Sequence, residues 1–364
     1  MRNVSELVRA LARRAPFEKA AGWDPVGLQL GDAAARVDRV AVCHEVTEDV
    51  VARVEQSPVD LLVTYHPLLF RATDRLVAGT TPAGRALRLA RAGTAVATVH
   101  TNFDVATGGT ADALAEALGL ERTTGFAPLY GSEVRKVVTF LPAEAAPAVV
   151  EAVSAAGAGR IGNYTHCSYR GEGLGTFFAG QGTEPVTGAR GELNQEPEAR
   201  LEFVVPRAVE GNALAALVAA HPYEEPAYDV YERRGDAGML GRIGRPAAET
   251  TLGELAERAE RALNTPVRIA GDPGRVLSRV AVIPGSGSDF LAQAAAAGAD
   301  VVVTGDLDHH AARGALDRGL ALLDAGHAPT ERPGLDRLCA AVAALGVETR
   351  SLLELDPDPW RARP

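Results

Sequence analysis

The feature that most constrains this chain is a recurring pair: a short apolar run followed by a turn that carries histidine. Asp60–Thr64 (DLLVT) runs into Tyr65-His66-Pro67, and Gly93–Val99 ends at His100. Asp300–Thr304 (DVVVT) leads past Gly305 to His309-His310, and Leu320–Leu323 ends in Asp324-Ala325-Gly326-His327. Short apolar runs that alternate with helical segments predict buried strands in a mainly parallel sheet covered on both faces. Open α/β sheets collect ligands at the carboxyl ends of such strands. DLLVT and DVVVT resemble each other and hint at two related half-domains.

The helices are marked by spacing and by caps. Apolar spacing predicts a helix over Val4–Arg14, and Thr47 caps one running to Gln56. Pro82 opens a helix to Ala92, where a missing N–H matters least. Further helices are expected over Thr110–Leu118, over Thr251–Leu263 with the capping box Thr251/Glu254, over Ser288–Ala297 closed by Gly298, and over Pro329–Leu345. Trp23–Gly31 reads as a loop and Val37–His44 as a short strand. Between the outer segments the order changes. Strands at Arg135–Leu141, Gly175–Gly180, Arg200–Val205 and Ala227–Tyr231, with helices at Ala143–Ala156 and Val209–Ala220, give β-α-β-β-α-β, the ferredoxin-like order. The chain of 364 residues is therefore expected to hold a core domain over 1–130 and 235–364, interrupted by a ferredoxin-like α+β insert over 131–234. The Gly/Arg-rich stretch Arg233–Arg245 reads as the linker that closes the insert.

Composition excludes several classes of function. The net charge of −10 argues against general nucleic-acid binding, which needs a basic face. Cys43, Cys167 and Cys339 are far apart and form no CxxC pair, so a disulfide framework or a cysteine zinc site is not expected, and a reducing cytoplasm fits. No run approaches the ~20 apolar residues that a membrane span needs. The amphipathic N-terminus reads as a first helix, not a signal peptide.

Three strand ends carry metal-type ligands: Tyr65-His66-Pro67, His100 with Asp104, and His327 with Glu331. A parallel sheet could gather them at one edge. A thiolate-free set of histidines and carboxylates suits a catalytic divalent cation such as Zn, Mn, Fe or Co. Two cations about 3.5–4 Å apart, bridged by a carboxylate, would activate water and clamp a phosphate or carbonyl. Other stretches read more plainly. His309-His310 could line the cavity or begin a helix. Gly285-Ser286-Gly287-Ser288 reads as a tight turn with a serine cap, with a phosphate cradle as the alternative. His221, Glu224 and Glu225, bracketed by Pro222 and Pro226, read as a turn, and Cys43 as core. No Rossmann fingerprint is complete, which disfavours a nicotinamide enzyme.

WDPVGLQLGD, TYHPLLF, HTNFDVATGGTADALAEALGL, TGDLDHH and DAGHAPTE resemble the signature stretches of the NIF-three-like family, whose members are often labelled GTP cyclohydrolase 1 type 2 homologues. The matches fall in order over Trp23–Leu120 and Val280–Glu331. HPYEEPAYDVYE, His221–Glu232, resembles the PII/CutA-like insert of the longer members. The resemblance implies a two-lobed α/β fold, a toroidal homohexamer, and a dinuclear metal site facing its cavity. It implies that His66 and Asp104 hold one metal, His327 holds the other, and Glu331 bridges them. One or two divalent cations per chain (Zn, Mn, Fe, Co or Ni) follow. The family usually has two adjacent histidines where this chain has Tyr65-His66. The second metal would then be weak, absent, or bound through Tyr65 or water. His100 takes an outer-sphere or proton-transfer role before a ligand role. The functional expectation is a metal-dependent hydrolase acting on a small nucleotide- or phosphoester-like substrate. The alternative is a metal-binding scaffold or regulator without turnover.

Overall fold

The apolar runs become the inner strands of two sheets, each built on an aspartate. In a computed structural model, described for residues 2–129, 134–161, 164–233, 238–355 and 358–360, Asp60 Oδ2 accepts the backbone N–H groups of Asp38 (2.9 Å) and Arg39 (2.8 Å). Asp300 Oδ2 accepts those of Ser278 (2.7 Å) and Arg279 (2.8 Å) in the same way. The likeness between DLLVT and DVVVT is thus a likeness of structure. In each case the carboxylate at the start of one strand ties down the start of its parallel neighbour.

The first sheet runs in the order Glu348–Ser351, Arg39–Cys43, Leu61–Thr64, Ala95–Thr98, Gly27–Leu30. Its first four strands are parallel, and Gly27–Leu30 closes it antiparallel. The second sheet runs Arg268–Ala270, Ala321–Asp324, Val301–Gly305, Val280–Ser286, Gly238–Pro246, Leu120–Leu129. Here the parallel pairs are confined to the Ala321, Val301 and Val280 strands. Alternate side chains serve opposite faces, as the period of two in a strand requires. Val40, Val42, Leu61 and Val63 pack with Leu335, Leu338 and Val342 on one face of the first sheet. Ala41, Leu62 and Val96 pack with Val50, Val54 and Leu89 on the other. The fold is mixed α/β, with the inner parallel strands Leu61–Thr64, Ala95–Thr98, Val301–Gly305 and Ala321–Asp324 buried on both faces.

The chain divides into two compact units, Met1–Gly131 with Ala237–Pro364, and Ser132–Asp236. In the second unit the strands Tyr228–Arg233, Val134–Leu141, Leu193–Pro206 and Ser168–Phe178 form one antiparallel sheet in that order. The helices Ala146–Ala155 and Glu210–Ala220 bury Val149, Val153 and Leu217 against Val137, Leu201 and Phe203.

Several local expectations change. Trp23–Gly31 is not all loop, because Gly27–Leu30 pairs with Ala95–Thr98. The stretch expected as a linker contains the strand Gly238–Pro246, which pairs with both Leu120–Leu129 and Val280–Ser286. Its glycines read as a boundary, but Gly241 lies against the Phe126 ring where no Cβ fits. Residues 234–237 of that stretch lie outside the described residues. The strand Ser168–Phe178 is longer and starts earlier than Gly175–Gly180. The last long helix is His327–Ala343, two residues earlier than its apolar spacing suggests. Among the described residues, no helix is long and apolar enough to cross a membrane.

That helix crosses the helix Thr110–Ala117 closely at Gly334, where a Cβ would stand 2.7 Å from Thr110 Cα. Backbone cannot yield as a side-chain tip can. We expect Gly334→Ala to destabilise the fold by about 1–3 kcal/mol, read as a lower denaturation midpoint at unchanged m-value.

Candidate metal site

The carboxyl ends of the parallel strands in the two sheets converge on one carboxylate, that of Glu331. It is 3 % exposed and sits one turn into the helix His327–Ala343. His327 Nε2 lies 3.2 Å from Glu331 Oε1, four residues back on the same helical face. The other oxygen, Oε2, meets His44 Nε2 at 2.7 Å and His66 Nε2 at 3.4 Å. The donor atoms of His44, His66 and Glu331 all lie within 4.8 Å of one another.

Strand pairing sets this geometry. His44 follows Arg39–Cys43, and Tyr65 and His66 follow the neighbouring parallel strand Leu61–Thr64. The ladder continues past the strand ends: Tyr65 N–H donates to Cys43 O (3.1 Å) and His66 N–H to His44 O (2.8 Å). On the Glu331 side, the Thr330 hydroxyl accepts the Gly285 N–H at 2.9 Å. This ties the helix start to the turn after Val280–Ser286. Gly285 has φ +64°, and a Cβ there would lie 2.7 Å from Glu331 Oε1 and 3.3 Å from His327 Nε2. The Gly-Ser-Gly-Ser turn therefore forms a wall of the cluster.

The electrostatics follow from burial. Burial alone would raise the Glu331 pKa, but hydrogen bonds from His327, His44 and His66 outweigh it and hold the carboxyl well below its usual range. Burial opposes the charged form of His327, yet Glu331 on Nε2 and Asp306 on Nδ1, at 2.6 Å, push it up to about 9. Asp306 thus orients the His327 ring, as an outer-sphere carboxylate does for a ligating imidazole.

The remaining predicted residues form a second, adjoining group. Tyr65 is fully buried and its hydroxyl donates to Asp104 Oδ1. Burial, and then the charges of Asp104 and Glu331, raise the Tyr65 pKa well above its ordinary value. Asp104 lies on the one-turn helix Thr101–Asp104. Burial first, and Glu331 second, push it up to about 7 against the opposing charge of His100. His100 Nδ1 stands 3.1 Å from Asp24 Oδ1, and Asp24 Oδ2 accepts the N–H (3.0 Å) and hydroxyl (2.5 Å) of Thr101. Burial would lower the His100 pKa, but the Asp24 carboxylate raises it. The His100 ring packs edge-on against His66 (centroids 5.2 Å) and Tyr65 (5.3 Å), with Trp23 at 6.2 Å.

Sequence reasoning missed His44, although its signal was of the same kind, an apolar run ending in histidine. Other candidates lie apart from the cluster. His309 and His310 are exposed at the start of the helix His309–Leu316, capped by Asp308. His221 holds a turn, Nε2 on Phe140 O (3.1 Å) and Nδ1 accepting Tyr223 N–H (3.1 Å). Glu224 accepts the Glu184 N–H at 3.0 Å. Cys43 is buried in the core.

The model of the family Duf34/NIF3 (NGG1p interacting factor 3) matches residues 2–357. The chain belongs to the NIF3 family. It is 38 % identical over 329 residues to a Bacillus subtilis protein named GTP cyclohydrolase 1 type 2 homolog, covering 89 % of this chain and 88 % of that one. A Mycobacterium tuberculosis protein of the same name is 40 % identical over 338 residues, covering 91 % and 89 %. A solved Bacillus cereus structure, described as a protein related to NIF3, superposes with TM-score 0.65 at 35 % identity, covering 100 % of this chain and 99 % of that one.

The donor set of this NIF3 chain fits a divalent cation. Imidazole nitrogens and carboxylate oxygens face one another across gaps that a cation coordinated at about 2.0–2.2 Å would span. The fit depends on the Gly285 wall. We expect Gly285→Ala to turn the Glu331 carboxylate away and to lower the content of bound cation, measured by elemental analysis. The strained φ adds about 1–2 kcal/mol of destabilisation.

Proposed function

We propose that this chain is a divalent-metal-dependent hydrolase acting on a nucleotide- or phosphoester-like substrate, with its cation chemistry centred on Glu331. The observation that carries this reading is one buried carboxylate with imidazoles on both oxygens: His44 and His66 on Oε2, and His327 on Oε1. A cation on such donors supplies Lewis acidity toward a phosphoryl or carbonyl oxygen and lowers the pKa of water. The protein's own groups divide the remaining work. Asp306 fixes the His327 ring, and Asp24 holds the Nδ1 side of His100. That leaves the other nitrogen of His100 for proton transfer beside His66. The name carried by the Bacillus and Mycobacterium relatives makes GTP the first nucleotide to try.

We read the Ser132–Asp236 unit as ferredoxin-like, supported by its β-α-β-β-α-β order and antiparallel sheet. The assembly is proposed as a homohexamer working in the cytoplasm, which rests on the family resemblance and the thiol pattern. A second reading, a metal-binding regulator without turnover, is favoured by the Tyr65–Asp104 pair, which withdraws two candidate groups from the reacting centre.

The test is hydrolysis of an activated phosphodiester and of GTP by cation-loaded protein. We expect turnover that Glu331→Gln lowers by at least about 100-fold, since losing mere outer-sphere partners of a metal already lowers activity by about 10–100-fold. Cation binding with no turnover of either substrate would select the regulator.

A further inference from the structure

The side chains at the ends of the first sheet's parallel strands are not equivalent in what they face. Tyr65 and His66 are consecutive, so the ladder sends their side chains in different directions. His66 reaches Glu331 Oε2, whereas the Tyr65 hydroxyl ends on Asp104 Oδ1. The Tyr65 ring is fully buried, in contact with the rings of His44 (5.6 Å), His66 (5.3 Å) and His100 (5.3 Å). A phenol so packed, with its one proton committed to a buried carboxylate, cannot turn to a cation without emptying that contact.

The neighbouring strand end makes up the difference. His44 lies one strand over, joined to His66 by the 2.8 Å bond from His66 N–H to His44 O. Their rings are 4.5 Å apart, and both Nε2 atoms address the same Glu331 oxygen. The other oxygen has a different environment. Oε1 meets His327 alone of the three imidazoles, and the opposite nitrogen of that ring is held by Asp306. Among the described residues, the group of three whose donor atoms close within 4.8 Å is His44, His66 and Glu331.

We infer that His44 supplies the imidazole that Tyr65 cannot, so that this chain has one tight cation site, made by His44, His66 and Glu331 Oε2. Tyr65 and Asp104 form a closed hydrogen-bonded pair outside it. His327 acts on the shared carboxylate from the far oxygen, as an orienting group or as the partner of a weakly held second cation. Two imidazoles and one carboxylate leave open coordination positions, a donor set suited to Fe(II) as well as to Zn(II) and Co(II). The inference rests on the proposed metal-centred function but does not depend on the reaction catalysed.

The experiment is calorimetric titration of metal-free full-length protein with Co(II), together with the absorption spectrum of the Co(II) form. The native chain, His44→Ala, His44→Gln and Tyr65→Phe are compared, with folding checked by circular dichroism and thermal midpoint. We expect about one tight equivalent in the native chain. Affinity should fall more than about 100-fold in His44→Ala, because loss of a direct ligand exceeds the about 10–100-fold typical of outer-sphere partners. Tyr65→Phe should keep its affinity within about 3-fold and its spectrum unchanged. His44→Gln retains a polar group beside Glu331 and gives the same comparison if His44→Ala does not fold. Tyr65→Phe losing as much affinity as the His44 variants would overturn the inference, as would two equally tight equivalents in the native chain. Absence of any Co(II) binding by the native chain would overturn the metal-centred function as well. Binding with unaffected His44 variants would overturn the His44 assignment alone.

Discussion

A buried carboxylate is the constraint on which the rest of this structure depends. Glu331 is 3 % exposed, and an ionised group so far from water is tolerated only when it is paired and hydrogen-bonded. The fold meets that demand with imidazoles from three separate places in the chain. His327 arrives by helical periodicity, four residues away. His44 and His66 arrive by strand pairing, from the ends of two adjacent parallel strands. Thr330 and Gly285 set the distance between the helix start and the sheet. Each of these contacts is non-local apart from the helical one, so the cluster exists only when the two sheets are in register with the helix between them.

The two sheets are framed alike and used differently. Asp60 and Asp300 clamp the preceding strand with the same pair of backbone bonds, and the strands that follow them carry the same apolar pattern. The first sheet contributes imidazoles at its strand ends. The second contributes the turn at Gly285, the orienting carboxylate Asp306, and the helix that bears His327 and Glu331. Two sheets framed alike thereby give one asymmetric site. Next to it, Tyr65–Asp104 and His100–Asp24 are further buried polar pairs. Burial, and then the charge of Glu331, raise Asp104 to about 7 against the opposing charge of His100, while hydrogen bonds from His327, His44 and His66 hold Glu331 low in spite of its burial.

Much of the scaffold was legible in the sequence because its signals are local. The helix Val4–Arg14, the caps at Thr47 and Thr251 and the helix opened by Pro82 appear where side-chain chemistry places them. The strand Leu61–Thr64 was marked by an unbroken apolar run, as buried parallel strands are. Two antiparallel strands were less legible. Gly27–Leu30 begins at a glycine with φ +98°, and in Gly238–Pro246 Gly241 lies against the Phe126 ring; glycine in a sequence reads equally well as a turn. His44 was passed over for a related reason. As the last residue of an apolar run it looked like the end of a strand, and the groups it meets, His66 and Glu331, lie far along the chain.

The sequence by itself determined the family, the buried strands, the capped helices and the presence of histidines at strand ends, because periodicity, capping and motif order are written in consecutive residues. Only the tertiary structure decided which of those histidines share a carboxylate. That choice brings His44, His66 and His327 to Glu331 and turns Tyr65 away to Asp104. It depends on strand register and on the seating of one helix between two sheets, and both are set by packing between residues up to hundreds of positions apart.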